Sequence, residues 1–303
     1  MNNHDIQEDS SHRHLGIYFS DSGSWHEHIN YIVKKSFVRL NILRRFRLVL
    51  DRFTLDKVYF SYIRPILEYG DVIWDSNIQN LADKIEHVQI EAMRMVTSGT
   101  KLTSINKLYD ETGWEKLADQ RTNHKLVLFH KMVYREAPAY LSNLLLDTLS
   151  NLHHHFTCRS QSISAIRTRT SLYTGYYLPS STKLWNEFHL EFRNIASPDI
   201  FKNRLKVINK KRPSYYYIGS RLAQVLHARL RMDSSSLNAH IFFRNLVDNP
   251  NCTCGQTETT VHFLLQCINY SVIRDTTINS LNLLVPITAK LLLYGSTAIT
   301  YFY

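Results

Sequence analysis

Apolar side chains recur every three or four residues through most of this chain, and that period dictates helices rather than sheets. Between Ser24 and Leu50 the repeating positions are Ile29, Val33, Leu40, Leu43 and Leu50. Ser24 stands where an N-cap should, with Glu27 as its capping-box partner. From Thr54 to Glu68 the stripe is Leu55, Val58, Tyr62 and Ile66, and Pro65 should kink or break it. Residues 80–97 carry Leu81, Ile85, Val88, Ala92 and Val96, and residues 114–134 carry Leu117, Leu128 and Met132. The period is lost from Asp147 to Pro179, then returns at 183–192, 198–208 and 219–232. His14 to Ser20 is a short strand candidate closed by the turn signal Asp21-Ser22-Gly23. With 9 glycines and 7 prolines in 303 residues, little glycine is left for phosphate-cradling loops, and no GxGxxG or GxxxxGK[ST] sequence occurs. The expected fold class is mainly α.

The chain carries 36 Lys and Arg against 26 Asp and Glu, a formal +10, and the excess is concentrated. Between His28 and Leu50 lie Lys34, Lys35, Arg39, Arg44, Arg45 and Arg47, with no acid. Between Phe201 and Arg231 lie Lys202, Arg204, Lys206, Lys210, Lys211, Arg212, Arg221, Arg229 and Arg231, again with no acid. Such clustering is expected of a surface that meets a polyanion, and the competing reading is a solvated helix face. A hydrophobic content of 44% is too high for general disorder. The polar start MNNHDIQEDSSHRH holds no apolar signal region, and the most apolar stretch, Leu281 to Tyr303, is broken by Pro286 and Lys290. No membrane span is expected, and the compartment should be intracellular and reducing, nuclear and/or cytoplasmic.

Three of the four cysteines fall in Cys252-Thr-Cys254-Gly255, His262 and Cys267, a C-x-C-x7-H-x4-C pattern. Three thiolates and one imidazole form a complete tetrahedral set for structural Zn2+, with no open position for a catalytic water. Gly255 allows the backbone to fold back around the ion, and residues 261–267 should form a short helix. The other reading is a few reduced cysteines near a buried histidine. His153-His154-His155 reads as a solvated loop, and the isolated Cys158 as a small packing residue. Tyr215-Tyr216-Tyr217 either stack on bases or cover the first turn of the next helix. Trp74 and Trp185 read as core anchors.

A series of short tokens also falls in a meaningful order. His14-Leu15-Gly16-Ile17, Trp25-His26-Glu27-His28-Ile29, Lys34-Lys35, Tyr62-Ile63-Arg64-Pro65-Ile66-Leu67-Glu68-Tyr69-Gly70 and Val72-Ile73-Trp74 come first, followed by Gln89 and Arg94. Leu184-Trp185-Asn186, Phe201-Lys202, Gly219, Arg221 and Ala228-Arg229-Leu230-Arg231 come next. Cys254-Gly255, Glu258-Thr259, His262-Phe263-Leu264-Leu265 and Cys267 close the run. Together they resemble the portion that follows the catalytic palm in reverse transcriptases of non-LTR retrotransposons (long interspersed elements), over nearly the whole chain from about residue 14.

The polar start reads as a disordered leader over 1–13, and the resemblance implies a palm-edge strand remnant over 14–25 that has lost its partner strands. A thumb-like helical bundle over 26–135 and an irregular connector over 136–180 would follow. The remainder would be a basic helical region over 181–246, a zinc box over 247–275 and a truncated apolar tail over 276–303. The implied function is binding of RNA and/or DNA, with fingers and palm lying upstream in the parent protein. Polymerases of the family hold two metal ions on carboxylates that include an adjacent Asp pair. This sequence has no Asp-Asp, and neither Glu8-Asp9 nor Asp110-Glu111 is placed on a strand pair, so no catalytic residue is assigned and no polymerase activity is expected of this chain alone. The rival is a repurposed stand-alone protein whose bundle and zinc box make protein–protein contacts. A zinc hydrolase is the weaker third, because no H-E-x-x-H or comparable three-ligand set is present.

Overall fold

The computed structural model describes residues 9–75, 78–147, 162–206, 213–280 and 286–295, and it is mainly helical. Lys210, Lys211, Arg212, the histidine triplet at 153–155 and Cys158 lie outside the described residues. Among the described residues no helix is long and apolar enough to cross a membrane. The helix expected over 54–68 is divided into Arg52–Val58, a wider π turn at Tyr59–Ile63, and Arg64–Glu68 with Pro65 in its first turn. Pro65 has no N–H to donate, and the wider turn carries the chain past the lost bond.

The chain groups into two compact units, each assembled from three separate stretches, along other lines than the sequential domains expected. The first comprises Met1–Arg39, Tyr62–Gln89 and Glu115–Lys210. It opens with a hairpin in which β1 (Ser11–His14) pairs antiparallel with β2 (Ile17–Ser20), in register Ser11↔Ser20 to His14↔Ile17. Leu15 and Gly16 take φ of 47° and 87°, the doubly positive pattern of a two-residue turn matched to strand twist. The strand expected over 14–20 is therefore split by the turn at Leu15-Gly16, its 17–20 part has a partner strand, and residues 11–13 are strand rather than a disordered leader. The next helix, α1 (His26–Phe46), stops short of Leu50, and within this unit it buries Ile29 and Ile32. Its start differs from the expected capping box: the Ser24 hydroxyl accepts from His26 N at 3.4 Å and meets His26 Nδ1 at 2.6 Å. The helix Leu117–Val133 packs against Tyr177–Glu187 and Pro198–Lys206 around Leu126, Phe129, Trp185, Phe201 and Leu205. Tyr177–Glu187 begins inside the stretch expected to be irregular. Trp74 and Trp185 are both buried, as core anchors should be.

The second unit comprises Leu40–Ser61, Ile90–Trp114 and Lys211–Tyr303. Its interior holds Leu43, Leu55, Val96 and Leu108, with the Trp114 ring stacked on Tyr59 at 4.2 Å between centroids. The helix Arg221–Arg231 starts after Gly219 (φ 89°), where Ser220 accepts from Ala223 N. Ala289–Tyr294, within the expected apolar tail, buries Leu291 and Leu293.

Candidate functional site

The four expected ligands converge. Sγ of Cys252 lies 3.6 Å from Sγ of Cys267, Sγ of Cys254 lies 3.2 Å from Nε2 of His262, and the Cys254 and Cys267 sulfurs are 3.9 Å apart. All four donor atoms fall within 4.8 Å of one another, and the three cysteines are free thiols. A tetrahedral ion with Zn–S bonds of about 2.3 Å would set sulfur–sulfur edges of roughly 3.8 Å, so the residues fit a bound metal. Such an ion would be held by side chains of this chain alone and would act as a cross-link.

Local backbone chemistry builds the two halves of the cluster. Cys252 N donates to Gln256 O at 2.7 Å and Gly255 N to Cys252 O at 2.9 Å, closing a knuckle that requires φ of 91° at Gly255. His262 and Cys267 bracket a π turn, His262–Gln266, where a short helix was expected, and Cys267 N donates to His262 O at 2.7 Å. The N–H of Cys254 directed at the Cys252 sulfur holds that thiol down to about 6, while burial pushes the Cys267 thiol up. The knuckle is tied to its neighbours through Glu258, which accepts from Asn238 N at 2.8 Å, and through Thr260, 3.1 Å from His240 Nε2. His240 also meets Ser235 Oγ at 2.8 Å and the Asp233 carboxylate at 3.3 Å, so both ring nitrogens hold the fold together.

Residues 238–280 contain only Arg244 and Arg274 against Asp248, Glu258 and Asp275. The cysteine–histidine box therefore has no excess of positive charge with which to hold phosphates.

The basic residues divide into distinct groups. Lys34, Lys35, Arg44 and Arg45 are exposed on α1, while Arg39 donates to Tyr62 O at 2.5 Å and lies over the Tyr62 ring. Lys202 and Arg204 are exposed in the first unit, where Lys206 ends the helix Pro198–Lys206. Arg221, Arg229 and Arg231 belong to the second unit; the Arg221 and Arg231 side chains are buried, whereas Arg229 is half-buried. Arg221 donates to Arg47 O at 2.7 Å, Met95 O at 3.3 Å and Ser98 Oγ at 3.0 Å, and Arg229 donates to Ser98 O at 3.1 Å. The bonds to Met95 O and Ser98 O satisfy carbonyls at the C-terminal end of the helix Gln79–Thr97, where positive charge is favoured. Burial brings the Arg221 guanidinium down to about 10.

Arg231 donates to both oxygens of Glu111, at 2.7 and 2.6 Å, and to Leu293 O at 2.9 Å. Fully buried Arg52 reaches the same carboxylate at 2.9 Å. Glu111 is thus enclosed between two guanidiniums. Tyr216 and Tyr217 donate to Asp56 at 3.1 and 3.0 Å, and the Arg231 guanidinium lies 4.2 Å from the centre of the Tyr215 ring, so the tyrosine run packs against the unit instead of offering itself to bases. The helical period could have shown part of this, because Arg221 shares its stripe with buried Gln224, Val225, Ala228 and Met232. The acids Glu111 and Asp56 lie too far away in sequence to be found that way.

Comparison with known protein families, curated proteins and solved structures finds no match to this chain.

Proposed function

We propose that this chain is a nucleic-acid-binding module corresponding to the thumb-to-C-terminus portion of a non-LTR retrotransposon reverse transcriptase. It grips the backbone of template–primer or target nucleic acid and has no polymerase active site of its own. The observation that carries this reading is the acid-free run from His28 to Leu50, in which Lys34, Lys35, Arg44 and Arg45 stay exposed while the helix buries its apolar stripe. Phosphate contact by such residues gives affinity with little sequence reading.

The box acts as a closed structural zinc site that fixes the fold of residues 252–267. It contributes architecture, since its surroundings lack positive charge. A near-neutral box that exposes apolar residues such as Phe243 and Val272 also keeps the protein-contact reading alive as a second role for this region.

Two measurements test the proposal. Fluorescence anisotropy across a salt series should give a linear fall of log affinity with log salt. Replacing Arg44 and Arg45 with Gln should flatten that slope by roughly 1.4 on single strands or 1.8 on duplex. An unchanged slope would remove α1 from the interface. Elemental analysis of protein purified without chelator should find about one zinc per chain, lost on Cys254→Ser, as expected of a four-ligand site. Well-folded wild type without metal would refute the zinc assignment.

A further inference from the structure

Within the second unit, residues 42–57 expose large apolar side chains among cations. Phe46 is 46% exposed, Leu48 64%, Val49 75% and Phe53 50%. Arg44, Arg45, Arg47 and Lys57 are exposed in the same stretch. Of its two acids, Asp56 is buried against Tyr216 and Tyr217, and exposed Asp51 is engaged as the cap of the helix Arg52–Val58 through Thr54 N at 2.9 Å, which leaves four exposed cations against one exposed acid.

The exposed turn is also held in place. Val49 N and Leu50 N both close on Phe46 O at 3.0 Å, and buried Arg221 clamps Arg47 O. Leu48 and Val49 are therefore presented outward by a fixed backbone. On the far side of the turn, Lys57 lies 4.1 Å from the centre of the Phe53 ring, and Phe53 meets Tyr217 edge to face. Cations and apolar faces are set side by side.

A duplex offers this surface phosphates and sugars, with its base faces stacked away. A single strand offers phosphates together with unpaired bases whose flat faces pack on aromatic and apolar side chains. Exposed apolar groups add affinity only for the second. Resting on the nucleic-acid reading above, we propose that residues 42–57 bind single-stranded nucleic acid in preference to duplex. Arg44, Arg45 and Arg47 hold phosphates, and Phe46, Leu48, Val49 and Phe53 meet the unpaired bases.

The test uses the full chain with a labelled mixed-sequence single strand and its duplex, compared by anisotropy at matched salt. The single strand should bind more tightly. Phe46→Ala with Phe53→Ala should weaken it roughly ten- to a hundredfold, given the usual contribution of base–aromatic stacking, and leave duplex binding within about twofold. Leu48→Ser with Val49→Ser, at the most exposed positions, should act in the same direction and supplies the result if the double Phe variant does not fold. Equal or duplex-favouring binding would overturn the single-strand inference and leave nucleic-acid binding standing. A single-strand preference indifferent to both apolar variants would overturn its assignment to this patch. Binding of neither nucleic acid at physiological salt would overturn both readings, and capture of an acidic amphipathic peptide in that case would assign the patch to a protein partner.

Discussion

The helices His26–Phe46 and Arg221–Arg231 look alike in charge, both arginine-bearing and free of acids from His28 and from Arg221 onward, yet they place that charge oppositely. In α1, Lys34, Lys35, Arg44 and Arg45 face outward. In the second helix, Arg221 and Arg231 face inward, against the end of another helix and against Glu111. The difference lies in the partners. A guanidinium can be buried only where carbonyls or a carboxylate replace its water, and the second unit supplies both from residues 95–98 and 111. A basic run is therefore evidence for a polyanion partner only after its internal partners have been accounted for.

The largest expected effect that tests this contrast comes from Arg231→Ala. It leaves Glu111 facing Arg52 alone and strips Leu293 O of its donor, and breaking such a buried pair costs about 3–5 kcal/mol. Urea unfolding followed by tryptophan fluorescence should register it. A variant as stable as wild type would mean that the network is not what holds this helix.

Next in size is the buried histidine on the inner face of α1. His28 Nδ1 accepts from Tyr18 N at 3.3 Å, and burial holds its pKa down to about 4. A base with a lowered folded-state pKa gives stability that is present above its unfolded value near 6.5 and lost as pH falls towards 4. Stability should fall by on the order of 2–3 kcal/mol across that window, in proportion to the shift. His28→Gln should flatten this part of the profile. An identical pH profile in the variant would show that His28 is not the group titrating.

The smallest effect is expected at Arg44 and Arg45. Their joint replacement by Gln should change stability by no more than about 0.5 kcal/mol per site, as for other exposed positions, while the salt dependence of binding changes as described above. A loss of several kcal/mol, measured by the same urea titration, would erase the contrast between the two helices.

Legibility in the sequence followed the range of the interactions. Helices Gln79–Thr97 and Leu117–Val133 were readable because their stripes are local, and the cluster of Cys252, Cys254, His262 and Cys267 because they sit within one short segment. The hairpin was hidden by its polar strand: Ser11–His14 is mostly exposed and shows no apolar alternation. The π turn at 59–63 left only Pro65 as a signal. The inward turn of Arg231 depends on Glu111, separated from it by 120 residues, and no spacing rule reaches that far. A net excess of charge says nothing about which side of a helix will carry it.

The second unit draws on three stretches separated by long intervening segments, and this sets an order in time. As the chain emerges from the ribosome, Arg52 and Glu111 are made early, but the residues that enclose them, Tyr216, Gln224 and Arg231, come more than a hundred residues later. Contacts of such high sequence separation form late and slowly, because the intervening loop must be closed before they can contribute. Until then Arg52, Asp56 and Glu111 must stay hydrated, so this unit cannot settle before the 221–231 helix has been synthesised, whatever the first unit has already achieved.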